Sequence, residues 1–84
     1  MMNKPVYAIY DAKSTFLDPV VDSGDASARR AFAFAINNGG LMGFAPGDFQ
    51  LYHIADYDTC SGSLTALSPF ELICNGLEVY NEKS

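Results

Sequence analysis

Along the chain, apolar positions recur at two spacings, and each change of spacing marks a new element. Val6-Tyr-Ala-Ile-Tyr10 is β-branched and aromatic and apolar on both faces, which predicts a central strand. Asp11 to Ser14 supplies turn chemistry, and Thr15 to Val21 resumes an extended run. Pro19 has no N–H to give to a ladder, so this second strand belongs at a sheet edge or carries a bulge. The simplest pairing of the two is an antiparallel hairpin. Ala28, Ala31, Phe32, Ala35 and Ile36 then fall at helical spacing and predict one apolar stripe on a helix over 25–38. Ser23 or Asp25 can cap its start, and Asn37-Asn38-Gly39-Gly40 ends it through residues that adopt the left-handed conformation cheaply.

Beyond the helix, Leu41 to Asp48 reads as a loop punctuated by Gly43, Pro46 and Gly47, with Leu41, Met42 and Phe44 folded back as a lid. Phe49 to Tyr57 is the second clear strand, Asp58 to Gly62 a hairpin loop, and Ser63 to Leu67 the returning strand. Ser68-Pro69 resembles a cap followed by the first helical position, so Phe70 to Asn75 is predicted to form one helical turn ended by Gly76. Leu77 to Tyr80 then completes the sheet as a last short strand. The whole predicts a small two-layer α+β domain: an antiparallel sheet of about four to five strands packed on one main helix. Residues 1–84 form a single domain on this reading, with 1–4 and 81–84 as flexible ends.

Composition narrows the function classes. With 49% hydrophobic and 13% aromatic residues the chain can build a core, and disorder is not expected. The longest apolar runs, Val6 to Tyr10 and Ala31 to Ile36, fall far short of a membrane span, and the N-terminal residues do not read as a signal peptide. The net charge of −5 argues against a protein whose main task is coating nucleic acid. Cys60 and Cys74 match no zinc spacing and are expected to be reduced thiols, with a single bridge as the alternative.

No catalytic, cofactor or metal site is predicted. Asp56 and Asp58 point to one side of a strand but lack a third ligand nearby in sequence, and His53, the only histidine, has no nucleophile motif around it. Gly39, Gly40 and Gly43 lack the Gly-Lys-Ser/Thr of a phosphate loop. The candidate contact residues are instead on the surface. Arg30 and Phe34 share a helix face nearly opposite the Phe32 and Ile36 stripe. Phe34 is either an interface anchor or a ring lying along an arginine stem or under a loop. Lys13, Arg29 and Arg30, together with Tyr7, Tyr10, Tyr52 and Tyr57, can also be read as a platform for single-stranded nucleic acid.

Several of these residues occur in a familiar order: Val6-Tyr-Ala-Ile-Tyr-Asp-Ala-Lys13, Pro19, Arg30-Ala-Phe32, Pro46-Gly-Asp48, Leu51-Tyr-His-Ile54 and Tyr57-Asp58. The ordered set resembles the small nonstructural protein of gokushovirus-type microviruses, single-stranded DNA phages of bacteria. The likeness runs from about Val6 to Leu67. It departs at Phe34, where a polar residue is usual, and at Ala55, where a glycine is usual. It becomes loose after Pro69. The resemblance implies a role in genome DNA synthesis, with DNA binding often suggested, rather than a capsid or scaffolding role.

The expectation is therefore a nonenzymatic phage accessory factor in single-stranded genome synthesis, located in the host bacterial cytoplasm and needing no cofactor. Its partners would be viral or host replication proteins. The alternatives are direct binding of single-stranded DNA and a minor virion or structural role. A homodimer or higher oligomer is expected from the thin core, the outward Phe34 and the free strand edges. Lys13, Arg29, Arg30, Phe34, Tyr10, Tyr52 and Tyr57 are the residues expected to touch DNA or a partner.

Overall fold

The computed structural model describes residues 3–81. The ends expected to be flexible at 1–2 and 82–84 lie outside the described residues, whereas Asn3 and Lys4 open the first strand. Strands β1 (Asn3–Asp11), β2 (Val20–Val21), β3 (Phe49–Asp58) and β4 (Leu64–Asn75) form one antiparallel sheet in the order β2-β1-β3-β4. Helix α1 (Asp25–Asn37) covers one face of it, with short helices α2 (Gly40–Phe44) and α3 (Gly76–Val79) and a 3-10 turn (Pro46–Asp48) beside its C-terminal end. This is the α+β architecture that the hydrophobic pattern predicts.

The core is a single layer between α1 and the sheet. Ala28, Phe32, Ala33 and Ile36 of the helix meet Tyr7, Phe49, Leu51 and Cys74 of the strands, closed by Val79 of α3. The stripe is rotated slightly from the predicted one: Ala33 is buried, Ala31 is exposed and Ala35 is half-buried. A helix of 13 residues is about 20 Å long, while a strand of 12 residues reaches about 40 Å. The helix therefore covers one end of the sheet, and the β3–β4 hairpin projects past it, in keeping with overall extents of 40 × 27 × 18 Å.

Pro19 has the effect expected of it, and more. Only Val20 and Val21 pair with β1, apart from an isolated bridge between Tyr10 and Phe16; the rest of the Thr15–Val21 run is irregular. At the other end of the chain the prediction is corrected twice. Phe70 to Asn75 is not a helical turn but the second half of β4, paired with Gln50 to His53 of β3. One turn of helix has few bonds to offset its nucleation cost, whereas the same residues on the edge of β3 satisfy that strand's backbone groups.

Pro69 does not start a helix. It lies inside β4 after a cis Ser68–Pro69 peptide, in the stretch where the ladder skips from His53–Glu71 to Ala55–Ala66. An edge strand with an interrupted ladder tolerates its missing N–H. Leu77 to Tyr80 is not a strand either, because Asn75 and Glu78 form a reciprocal cap that starts α3. The Leu77 N–H donates to Asn75 Oδ1 (2.9 Å), and the Asn75 N–H donates to Glu78 Oε1 (2.7 Å). The predicted lid is only partly one: Met42 packs on the core, while Leu41 and Phe44 are 65% and 86% exposed.

Candidate functional site

Alternation along the strands gives the sheet two unlike faces. Tyr7 and Ile9 of β1 and Leu51 of β3 face α1, so Tyr10 and Tyr52 project from the opposite face, which no helix among the described residues covers. Phe16 and Phe70 join them there. Tyr10 and Phe16 have ring centroids 4.8 Å apart, and Phe16 meets Tyr52 at 5.9 Å and Phe70 at 5.8 Å, both edge-on. Tyr10 and Tyr52 complete the group at 6.4 Å. The cluster is built by three strands and the loop leaving β1. Phe16 reaches it because the turn at Asp11–Ser14 folds the chain back: the Ser14 N–H donates to Asp11 O (2.9 Å) and the Leu17 N–H to Ile9 O (2.8 Å).

With Phe16 39%, Phe70 42% and neighbouring Leu72 53% exposed, the rings support one another while leaving their outer surfaces in water. Contiguous exposed apolar patches are limited in size on soluble monomers, which makes this face a candidate binding surface. Its chemistry suits apolar side chains or flat rings.

The predicted contact residues are divided between the two layers. Tyr10 and Tyr52 lie together in the aromatic cluster, and Lys13 sits in the turn that joins Tyr10 to Phe16. Tyr57 is half-buried at the far end of β3, paired with Lys4 and Leu64. Arg29, Arg30 and Phe34 belong to α1, on the other side of the sheet. Phe34 is 66% exposed, so no loop covers it. The platform of tyrosines and arginines on one surface is therefore not assembled. Phe16 and Phe70 join the tyrosines only through the fold. The alternation of Phe70 with Leu72 is the local signal for Phe70, and Ser68-Pro69, which resembles a helix start, masks it.

A second cluster lies on the helix side. The Tyr7 hydroxyl, fully buried, donates to Asp25 Oδ1 at 2.5 Å, and its ring stands 5.3 Å from that of His53. Burial, then the Asp25 carboxylate that accepts its hydrogen bond, pushes the Tyr7 pKa well above the usual phenol range. His53 Nε2 lies 2.9 Å from Asp56 Oδ1 and 3.0 Å from Ala55 O, and Nδ1 lies 3.4 Å from Glu71 Oε1. Burial would lower the imidazole pKa, but the Asp56 and Glu71 carboxylates outweigh it and raise it. Asp58 is not grouped with Asp56: its carboxylate accepts the Cys60 N–H (2.8 Å) and holds the hairpin loop.

A cavity of about 120 Å³ between α1 and the β1–β2 edge is lined by apolar side chains and by Asp18 and Asp22. Two carboxylates at its wall suit no phosphate. Cys74 is in the core and Cys60 in the exposed hairpin. Among the described residues no helix is long and apolar enough to cross a membrane.

The fold and its faces thus define a small α+β protein whose sheet is covered by helices on one side and presents aromatic rings on the other. Comparison with known families is more particular. The model of the Phage ORF5 protein family matches residues 4–79, nearly the whole chain, and the chain belongs to that family. No curated protein and no solved structure matches it.

Proposed function

We propose that the protein is a nonenzymatic accessory factor in the synthesis of a phage's single-stranded genome, acting in the bacterial cytoplasm by binding a protein of the replication machinery. The observation that carries this reading is the uncovered aromatic face formed by Tyr10, Phe16, Tyr52 and Phe70. The link to genome synthesis, and to microviruses, rests on the resemblance of the ordered motifs. Membership of a phage family agrees with it.

Charge favours a protein over DNA as the occupant. The chain carries −5, and of its five cations Arg29 and Arg30 lie on the helix layer, away from the rings. Lys13 is the cation that the turn brings near the cluster. One or two phosphate contacts give a log–log salt slope of only about −1 for a single strand. Direct DNA binding is the second reading, favoured specifically by four rings on one sheet face, since stacking contributes about 1–3 kcal/mol per base. A second copy of the chain could use the same apolar face, in line with the expected oligomer.

A photo-crosslinking amino acid at position 70 tests the reading in infected cells, with the same probe at position 30 as the control. Crosslinks from position 70 alone, to a replication protein identified by mass spectrometry, are the expected result. Labelled single-stranded DNA bound tightly near 0.15 M salt, about the physiological ionic strength, and released by Tyr52→Ala, would establish DNA as the ligand instead. Crosslinks confined to a second copy of the chain would leave dimerisation as the role of the face.

A further inference from the structure

We propose that Asp25, His53 and Glu71 form a binding site for one divalent transition cation of the zinc type. The three residues are distant in sequence and come from three elements, α1, β3 and β4. One ligand atom of each lies within 4.8 Å of the other two. The Nδ1 of His53 and Oε1 of Glu71 are already 3.4 Å apart. Ligands about 2.1 Å from a tetrahedral zinc are separated by roughly 3.4 Å, so the separation of that pair already matches. Glu71 is exposed, and its side chain can supply the remaining approach by rotation, while Asp25 is held in place.

The hydrogen bonds around the histidine set its tautomer. Both neighbours of Nε2, the Asp56 carboxylate and the Ala55 carbonyl, are acceptors, so Nε2 carries a hydrogen. In the neutral ring Nδ1 is then an acceptor facing another acceptor, the Glu71 carboxylate, and something positive belongs between them. A proton can serve, and so can a cation. A carboxylate that holds the distal N–H of a ligating histidine is the usual outer support of such a site. Asp25 has its own support, because the Tyr7 hydroxyl donates to its Oδ1.

The donor set decides the kind of metal. One imidazole nitrogen with two carboxylate oxygens suits zinc and its first-row neighbours better than magnesium or calcium, which prefer oxygen alone. Three carboxylates, Asp25, Asp56 and Glu71, converge on one histidine in a chain that is acidic overall, and a dication offsets that repulsion. A bound ion would clamp the first turn of α1 to β3 and β4. The exposed side would leave a coordination position for water.

Isothermal titration of the full chain with zinc chloride tests the site, with magnesium chloride and a Cys60→Ser variant as controls. We expect one zinc ion per chain, no magnesium binding, and unchanged affinity in Cys60→Ser. Glu71→Gln and His53→Gln should each weaken binding at least tenfold, and Asp56→Asn by roughly 10–100-fold. Should His53→Gln fail to fold by circular dichroism, Glu71→Gln decides alone, since its side chain is 59% exposed. Cobalt(II) gives a second readout: visible absorption bands in the wild type that Glu71→Gln abolishes. The proposal is overturned by zinc binding no tighter than on the order of 0.1 mM, or by binding that Glu71→Gln leaves intact.

Discussion

Replacing Gly76 by alanine should destabilise the protein more than any other single methyl group added at a glycine. Gly76 is buried at the start of α3, where the backbone passes against the 3-10 turn. A Cβ built there would lie 2.0 Å from the Pro46 carbonyl oxygen and 2.9 Å from Ile36 Cδ1. The isoleucine can move, but the carbonyl belongs to a turn fixed by Pro46 and by the Asp48 N–H donating to Ala45 O at 3.0 Å. Relief therefore requires α3 to shift by about 1 Å, which pulls Val79 from its place in the core. Overpacking of this kind costs about 1–3 kcal/mol, and backbone contact places the site at the upper end. Alanine's smaller loss of chain entropy returns about 0.4–1 kcal/mol. The net expectation is about 2 kcal/mol, or a fall of about 8–16 °C in melting temperature for a domain this small. Gly24→Ala is the control: its φ of 168° is extended backbone, nothing lies within 4 Å, and it should melt within a degree or two of wild type or slightly above. Differential scanning calorimetry of both variants decides. Equal melting temperatures would refute the close approach of α3 to the Pro46 turn.

Two other perturbations test the packing beneath the rings. Phe32→Ala empties the centre of the helix layer, where Phe32 is 2% exposed, and should cost about 3–5 kcal/mol in urea unfolding, a large share of the total for such a domain. Tyr7→Phe should change the response to alkali. The folded phenol's pKa is raised above its unfolded value near 10, so its stabilising effect is complete below that pH and is lost as pH rises toward the folded value. Between about pH 10 and 12 the wild type should lose up to about 1.4 kcal/mol per pH unit relative to Tyr7→Phe. Parallel losses in the two proteins would show that Tyr7 is not held neutral by burial and Asp25.

The elements legible in the sequence are those whose cause is local. Val6 to Asp11 and Phe49 to Tyr57 carry strand composition within themselves, and the Phe32–Ile36 stripe carries helical spacing. The elements that differ are decided by partners far along the chain. Phe70 to Asn75 has neither the length for a helix nor strict alternation, and it becomes a strand because β3 has an open edge beside it. α3 does have a local signal, Asn75-Gly-Leu-Glu78 in capping-box spacing, but Gly76 carries the local signature of a helix stop while the fold needs it for close approach. The sites follow the same division. Tyr10 and Tyr52 could be named from composition, whereas Phe16 and Phe70 join them only through the fold. No spacing rule links Asp25, His53 and Glu71, which meet across three elements.

One short stretch of β4 sets both candidate sites. Phe70 reaches the aromatic face, Glu71 points to His53 on the helix side, and Leu72 lies opposite Tyr52. Side chains alternate with a period of two, so a slip of one residue would carry Glu71 into the rings and Phe70 toward α1. What prevents the slip is the pair of irregularities that bracket the stretch. The ladder skips Ile73 on one side and residues 67–70 on the other, and Pro69 cannot rejoin it as a donor. Bulges in that position fix register as well as interrupt pairing. The residue that most misleads a reading of the sequence, Pro69, is thus part of what keeps the apolar face apolar and the carboxylate beside the histidine.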